Sequence, residues 1–242
     1  MTAATGAKEA NDQLVDRLTA LDLSDEIVAR PSLLPDWTVG HLLTHIARNA
    51  DSHRRLVEAA LAGTVTDQYV GGMAQRWDEI LAGAGRPIDV QLADLAESGA
   101  ALADAYARAD RTPGTWDLAS RRWGDQPWPV GDLPFVRWRE VALHTIDLGF
   151  PELTAASWRD DYVEHELHRN VSALPARLRH RQLVSIDPTD LPWSTVVVGA
   201  AEADPAGPAT VQAPARELVE WLTGRSAGRE GWPEIGEWAG VP

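Results

Sequence analysis

The chain contains 242 residues, enough for one large domain or two smaller ones that each bury a hydrophobic core. Because it contains no cysteine, disulfides, thiolate zinc fingers, iron–sulfur clusters and a cysteine nucleophile are excluded, and thiol chemistry would need an external thiol. Its 36 acidic and 22 basic side chains give a formal net charge of -14, which disfavours binding to nucleic acids and to anionic membranes.

The N-terminal segment MTAATGAKEA has neither the basic part nor the apolar part of a signal peptide. No run of eighteen apolar residues occurs anywhere in the chain. The sequence therefore predicts a cytoplasmic protein without membrane or nucleic-acid partners, which acts on small molecules as a monomer or a small homo-oligomer.

Apolar residues at helical spacing predict five helices in the first part of the chain, and glycine and proline separate them. The predicted helices cover about residues 1–30, 38–63, 72–81, 88–106 and 132–148. Trp116, Trp123 and Trp128 precede the fifth helix without helical spacing, which indicates a loop or a short hairpin. These tryptophans either pack beneath that loop or line a pocket.

The pattern changes after the fifth helix, where glycine, proline and small residues cluster near residues 150–157. A polar helix is predicted over about 157–181, followed by three strand-like runs, QLVSID, STVVVGA and ATVQA, and by a helix over 214–223. We therefore predict an α+β protein with a helical bundle at residues 1–152 and a small α+β domain at residues 153–242.

Two of the predicted helices carry polar residues on one face. His41, His45 and Asn49 follow one another at i,i+4 spacing in the second helix, and Glu140 and His144 have the same spacing in the fifth. Imidazole and carboxylate groups on facing helices are typical of metal sites in bundles, and this donor set suits zinc. The same spacing is also common on solvated helix faces, and His41 near a helix start is better explained by capping or core packing.

The remaining histidines, His53, His165, His168 and His180, lie among charged residues and are predicted at the surface. The segment HELH lacks the HExxH spacing of zinc proteases. The GxSxG elbow, the GxxxxGK[ST] phosphate loop and a GxGxxG motif are also absent from the sequence, so the common hydrolase and nucleotide-binding classes are not indicated.

Two strings, LLPDWTVGHLLTHIARNA and RWREVALHTIDLG, resemble the metal-binding stretches of the mycothiol-dependent maleylpyruvate isomerase family. The strands and the last helix, near WLTGR, resemble the C-terminal domain of that family. The resemblance spans nearly the whole chain and implies a DinB-like four-helix bundle followed by a small α+β domain.

The resemblance also implies site residues. The family's zinc ligands fall on His45, Glu140 and His144, and its two arginines near the metal fall on Arg76 and Arg225. Arg225 has an alternative role as a cation that favours the C-terminus of a helix. By the same resemblance Asp147 is either a hydrogen-bond acceptor behind the ligands or a structural residue at a helix end.

The function implied is a zinc- and mycothiol-dependent isomerase. A thiolate would add to the cis double bond of maleylpyruvate, rotation about the resulting single bond would follow, and elimination would give fumarylpyruvate. Metal-dependent mycothiol S-transferases use the same fold and the same thiolate, so transfer of the thiol to an electrophile is the alternative activity. A binding protein that uses the metal only for stability is a third, non-catalytic alternative.

Overall fold

The computed structural model describes residues 1–121, 127–178, 183–193, 195–199 and 209–236. The chain divides into two compact units, Met1–Leu153 and Thr154–Pro242. None of the helices within the described ranges is long and apolar enough to span a membrane. Two residues that the sequence analysis singled out, Trp123 and His180, lie outside these ranges.

The first unit is helical. Its helices are α1 (Ala3–Ala20), α2 (Val39–Leu61), α3 (Gly72–Ala84), α4 (Ile88–Asp110) and α5 (Leu133–Asp147). Four of these helices form a closed ring, in which α1 packs against α4, α4 against α2, α2 against α5, and α5 against α1. Helix α3 is not part of this ring and packs against α2. Buried leucine, isoleucine and valine side chains from all four helices fill the centre. The predicted four-helix bundle is therefore confirmed.

The first predicted helix is too long. α1 ends at Ala20, and Asp22 adopts a left-handed backbone conformation with φ of 48°. A separate 3-10 segment, Asp25–Ala29, then packs against α2 and buries Val28. Val28 matched the apolar spacing of the first predicted helix because the 3-10 segment and α1 pack against the same core.

Helix α2 is the central helix of the unit, since it contacts α3, α4 and α5. It begins with a capping box in which the Thr38 side chain accepts from the His41 backbone N–H and the His41 side chain accepts from the Thr38 backbone N–H. The capping role predicted for His41 is thus confirmed. The surface position predicted for His53 is wrong, because neighbouring helices bury this face of α2 and leave His53 0% exposed.

Two short strands of the tryptophan-rich segment pair with each other before α5. Strands β1 (Ala119–Ser120) and β2 (Trp128–Pro129) pair antiparallel. Trp116 packs against Tyr106 of α4 with ring centroids 5.8 Å apart, and its indole N–H donates to Asp110. Packing onto the bundle therefore explains Trp116.

The second unit contains α6 (Asp160–Ala173), β3 (Leu183–Pro188), β4 (Val196–Gly199), β5 (Ala209–Ala213) and α7 (Ala215–Leu222). The strands form a sheet in the order β4-β3-β5, with β4 antiparallel and β5 parallel to β3. The predicted α+β class is confirmed. Helix α6 is shorter than predicted, because a 3-10 turn containing Pro175 follows it at Leu174–Ala176.

Candidate metal centre

Helices α2 and α5 bring together the three residues expected to bind zinc. Nε2 of His45 lies 3.1 Å from Oε2 of Glu140, and Nε2 of His144 lies 3.5 Å from the same oxygen. One ligand atom from each residue lies within 4.8 Å of the other two. Within the described ranges this is the only cluster of three or more histidine, cysteine or acidic residues with such spacing.

Two of the three separations between the donor atoms agree with those of a tetrahedral zinc site. Zinc binds imidazole nitrogen and carboxylate oxygen at about 2.0–2.2 Å, so two ligand atoms of a tetrahedral site lie about 3.3–3.6 Å apart. The separations of 3.1 and 3.5 Å are close to that range. Two imidazoles and one carboxylate also leave a fourth position open, which is the arrangement of catalytic zinc sites.

The environment favours the ligand forms of His45 and Glu140. Burial lowers the pKa of His45 to about 4, so its imidazole is neutral near pH 7. Burial alone would raise the pKa of Glu140, but hydrogen bonds from His144 and His45 hold that pKa well below its ordinary value. A neutral imidazole and an ionised carboxylate are the forms that bind a metal ion.

A second carboxylate, that of Asp147, contacts the His144 ring on its Nδ1 side. Nδ1 of His144 lies 2.9 Å from Oδ2 of Asp147, one turn further along α5, and Asp147 is 2% exposed. Burial lowers the pKa of His144, but the hydrogen bonds with Asp147 and Glu140 outweigh it and raise the pKa above the ordinary value. A carboxylate behind the ring is typical of metal-binding histidines, because it fixes the ring with its other nitrogen towards the metal.

The structure places the two predicted arginines differently. Arg76, in α3, is 8% exposed, and its Nη2 lies 3.3 Å from Nδ1 of His45. Arg76 therefore lies directly beside His45, one of the three candidate ligands. Arg225 follows α7 in the second unit, where its guanidinium donates to the carbonyl of Thr223. Its predicted position facing the metal stays a prediction.

An aromatic cluster beside the three candidate ligands was not predicted. The Trp37 ring lies edge-on to His45 with centroids 5.6 Å apart, and Trp77 lies 5.6 Å from Trp37 and stacks over His41. Trp37 also packs against the apolar core of the bundle. The sequence signal that could have indicated this cluster is the position of the two tryptophans: Trp37 directly precedes the cap of α2, and Trp77 directly follows Arg76.

Known proteins share this architecture. The family model described as the mycothiol maleylpyruvate isomerase N-terminal domain matches residues 7–149. A crystal structure of the mycothiol-dependent maleylpyruvate isomerase superposes with a TM-score of 0.80 at 22% identity, covering 98% of this chain and 95% of that one.

A histidine-to-alanine mutant of that isomerase gives a TM-score of 0.79 at 21% identity, with the same coverage. At such identities the likeness establishes the fold. No curated protein matches the chain. Because the family match covers more than half of the chain, this protein belongs to the mycothiol maleylpyruvate isomerase N-terminal domain family.

Proposed function

We propose that this protein is a zinc- and mycothiol-dependent enzyme that isomerises maleylpyruvate to fumarylpyruvate. Membership of the family supports the choice of thiol and substrate. The observation that carries the proposal is the cluster of His45, Glu140 and His144, which offers the three protein ligands of an open zinc site with donor atoms within 4.8 Å of one another. A zinc ion bound there would lower the pKa of a coordinating thiol, so that its thiolate is available at neutral pH.

A divalent ion and the buried guanidinium of Arg76 would together make this site positively charged despite its two carboxylates. With His45 and His144 as neutral ligands, Glu140 would supply one negative charge in direct contact with a divalent ion. Asp147 adds a negative charge behind His144, where it stabilises the Nδ1 proton and leaves Nε2 free as a ligand atom. A local positive charge is needed because the whole protein carries -14 and the substrate is a dianion.

Arg76 is the residue that we propose for binding the substrate. Its guanidinium is buried beside the ligands, and a guanidinium can donate two parallel hydrogen bonds to a carboxylate. Addition of a thiolate to a double bond conjugated with a carbonyl moves negative charge onto the carbonyl oxygen. A donor fixed at that oxygen stabilises the charge as it develops, and Arg225 is our second candidate for this role.

The product of the reaction tests the proposal. Purified protein, zinc, mycothiol and maleylpyruvate are incubated together, and products are followed by proton NMR. We expect fumarylpyruvate to accumulate while the thiol concentration stays constant. Stoichiometric loss of thiol into an adduct would instead identify an S-transferase. If neither product forms with protein shown to contain zinc, the proposed activity is wrong.

A further inference from the structure

Arg137 is a buried cation close to the candidate ligands. It lies on α5 one turn before Glu140 and is 1% exposed. Its guanidinium donates to the Ile46 carbonyl at 2.7 Å and to Asn49 Oδ1 at 2.9 Å, both on α2. It also donates to Asn11 Oδ1 on α1 at 2.8 Å. One side chain therefore connects three helices of the bundle.

The three acceptors of Arg137 are all neutral. No carboxylate among the described residues accepts a hydrogen bond from it. Burial lowers its pKa to about 10, although charge interactions with nearby groups such as Tyr106 and Glu140 raise it, so it remains charged at neutral pH. A buried charge without an acidic hydrogen-bond partner costs desolvation free energy, and an apolar side chain of similar volume usually packs with equal or greater stability. Packing alone therefore does not account for an arginine here.

Two of the three acceptors of Arg137 lie next to the candidate ligand on α2, His45. Ile46 directly follows His45 in sequence. Asn49 lies one helical turn beyond His45, on the same face of α2. Both bonds therefore join α2 to α5 within one turn of a candidate ligand on each helix. Asn49 was part of the polar face seen in the sequence, and its contact with Arg137 gives that position a role.

We propose that Arg137 and Asn49 are positioning residues that fix the register of α2 against α5, and thereby the spacing of His45 from Glu140 and His144. This inference rests on the proposed zinc site. Ligand geometry is sensitive to such support, because metal affinity falls by about 10–100-fold when residues that orient ligands are removed. We therefore expect that breaking the hydrogen bond between Arg137 and Asn49 weakens zinc binding, even though no candidate ligand is changed.

Asn11 and Asn49 form a matched pair for the test. Each is 3% exposed and accepts one bond from the same guanidinium, so either substitution leaves Arg137 one acceptor short. Helix α1, which carries Asn11, supplies no candidate ligand. A purely structural role for Arg137 predicts the same result for Asn11→Ala and Asn49→Ala. Asn11 also donates to the Leu95 carbonyl, so its loss is at least as disruptive to the bundle.

The experiment measures zinc affinity by competition with a chromophoric chelator, together with the visible absorption of the cobalt-substituted protein and unfolding by urea. We expect both alanine variants to be less stable than the wild type. Asn49→Ala should bind zinc about tenfold more weakly and alter the cobalt spectrum, whereas Asn11→Ala should stay within about twofold of the wild type. Asn49→Asp, which keeps an acceptor, should retain near wild-type affinity.

Equal zinc affinities for Asn11→Ala and Asn49→Ala would overturn the proposal that Arg137 and Asn49 position the ligands. Failure of the site itself is distinguishable, because the wild type would then bind no zinc or His45→Ala would bind it unchanged. If Asn49→Ala does not fold, Arg137→Lys replaces it. An ammonium lacks the planar fork that reaches Asn49 and Asn11 together, so we expect about tenfold weaker binding, and unchanged affinity would contradict the proposal.

Discussion

Asp147 holds the Nδ1 side of His144 at 2.9 Å, so that the opposite nitrogen of the ring faces Glu140. The two residues lie three positions apart in the last turn of α5, and both side chains are largely buried. This contact ties the orientation of a candidate ligand to the end of its own helix. Asp147 is therefore the first residue outside the ligand set whose loss should affect the metal.

Replacing Asp147 tests this dependence. We expect Asp147→Ala to weaken zinc binding about 10–100-fold, because His144 loses both its orientation and part of its basicity. Asp147→Asn keeps an acceptor but no charge, so it should give a smaller loss. Asp104→Asn, at an exposed position of α4, is the control. Chelator competition measures the affinities, and an unchanged value for Asp147→Ala would show that the contact has no role in metal binding.

Zinc affinity should depend on pH through His144. The metal competes with a proton for Nε2, and because the pKa of His144 is raised, the proton is bound up to a higher pH than in free histidine. Affinity should therefore increase with pH until it passes that pKa and then level off. His45, with its pKa lowered to about 4, should contribute no competition above that pH.

Asp147→Ala provides the control for this pH dependence. The hydrogen bond to Asp147 raises the pKa of His144, so the variant should show its inflection at lower pH than the wild type. Zinc titrations from pH 5 to pH 8.5 measure both curves. An inflection that does not move would mean that His144 is not the group that competes with the metal.

Arg76→Ala should separate substrate binding from metal binding. Arg76 is not a candidate zinc ligand, so metal content should be unchanged, whereas kcat/KM for maleylpyruvate should fall about 100-fold if the guanidinium stabilises developing charge. Arg54→Ala removes a more exposed arginine that pairs with Asp51 and Glu58 and should leave both quantities unchanged. Loss of zinc from Arg76→Ala would instead give the arginine a structural role.

Gly40 sets the close approach of α2 and α3. A Cβ at this position would lie 2.0 Å from the Ala84 carbonyl oxygen, which belongs to the backbone of α3. We expect Gly40→Ala to lower the free energy of unfolding by about 1–3 kcal/mol through overpacking. In Gly85→Ala the new methyl group meets no atom within 4 Å, so this variant should match the wild type in urea unfolding. Equal stabilities for the two variants would contradict this packing.

Periodicity was sufficient to place the candidate ligands on two helices, but the same spacing is also common on solvated helix faces. His45 and the pair Glu140 and His144 could be placed on helix faces because i,i+4 spacing fixes a common side. Their mutual distance could not be predicted in this way, since His45 and Glu140 lie 95 residues apart in sequence and the register of their helices depends on tertiary contacts. The resemblance to a family supplied that missing step.

Burial of individual polar residues was the main source of error. His53 was expected at the surface because charged residues flank it in sequence, yet α2 is surrounded by other helices and His53 is buried. Arg137 gave no signal, because a charged residue in a helix is usually solvated. Its three acceptors come from positions far apart in sequence, so only the folded bundle reveals them.

The central claim is that His45, Glu140 and His144 bind one zinc ion. Its most direct test is the zinc content of purified, dialysed protein, measured by inductively coupled plasma mass spectrometry for the wild type and for His45→Ala, with circular dichroism to verify folding. We predict one zinc per chain in the wild type and loss of that zinc from a folded His45→Ala variant. Full zinc content in His45→Ala, or a wild type that holds no zinc when supplied with it, would contradict the account.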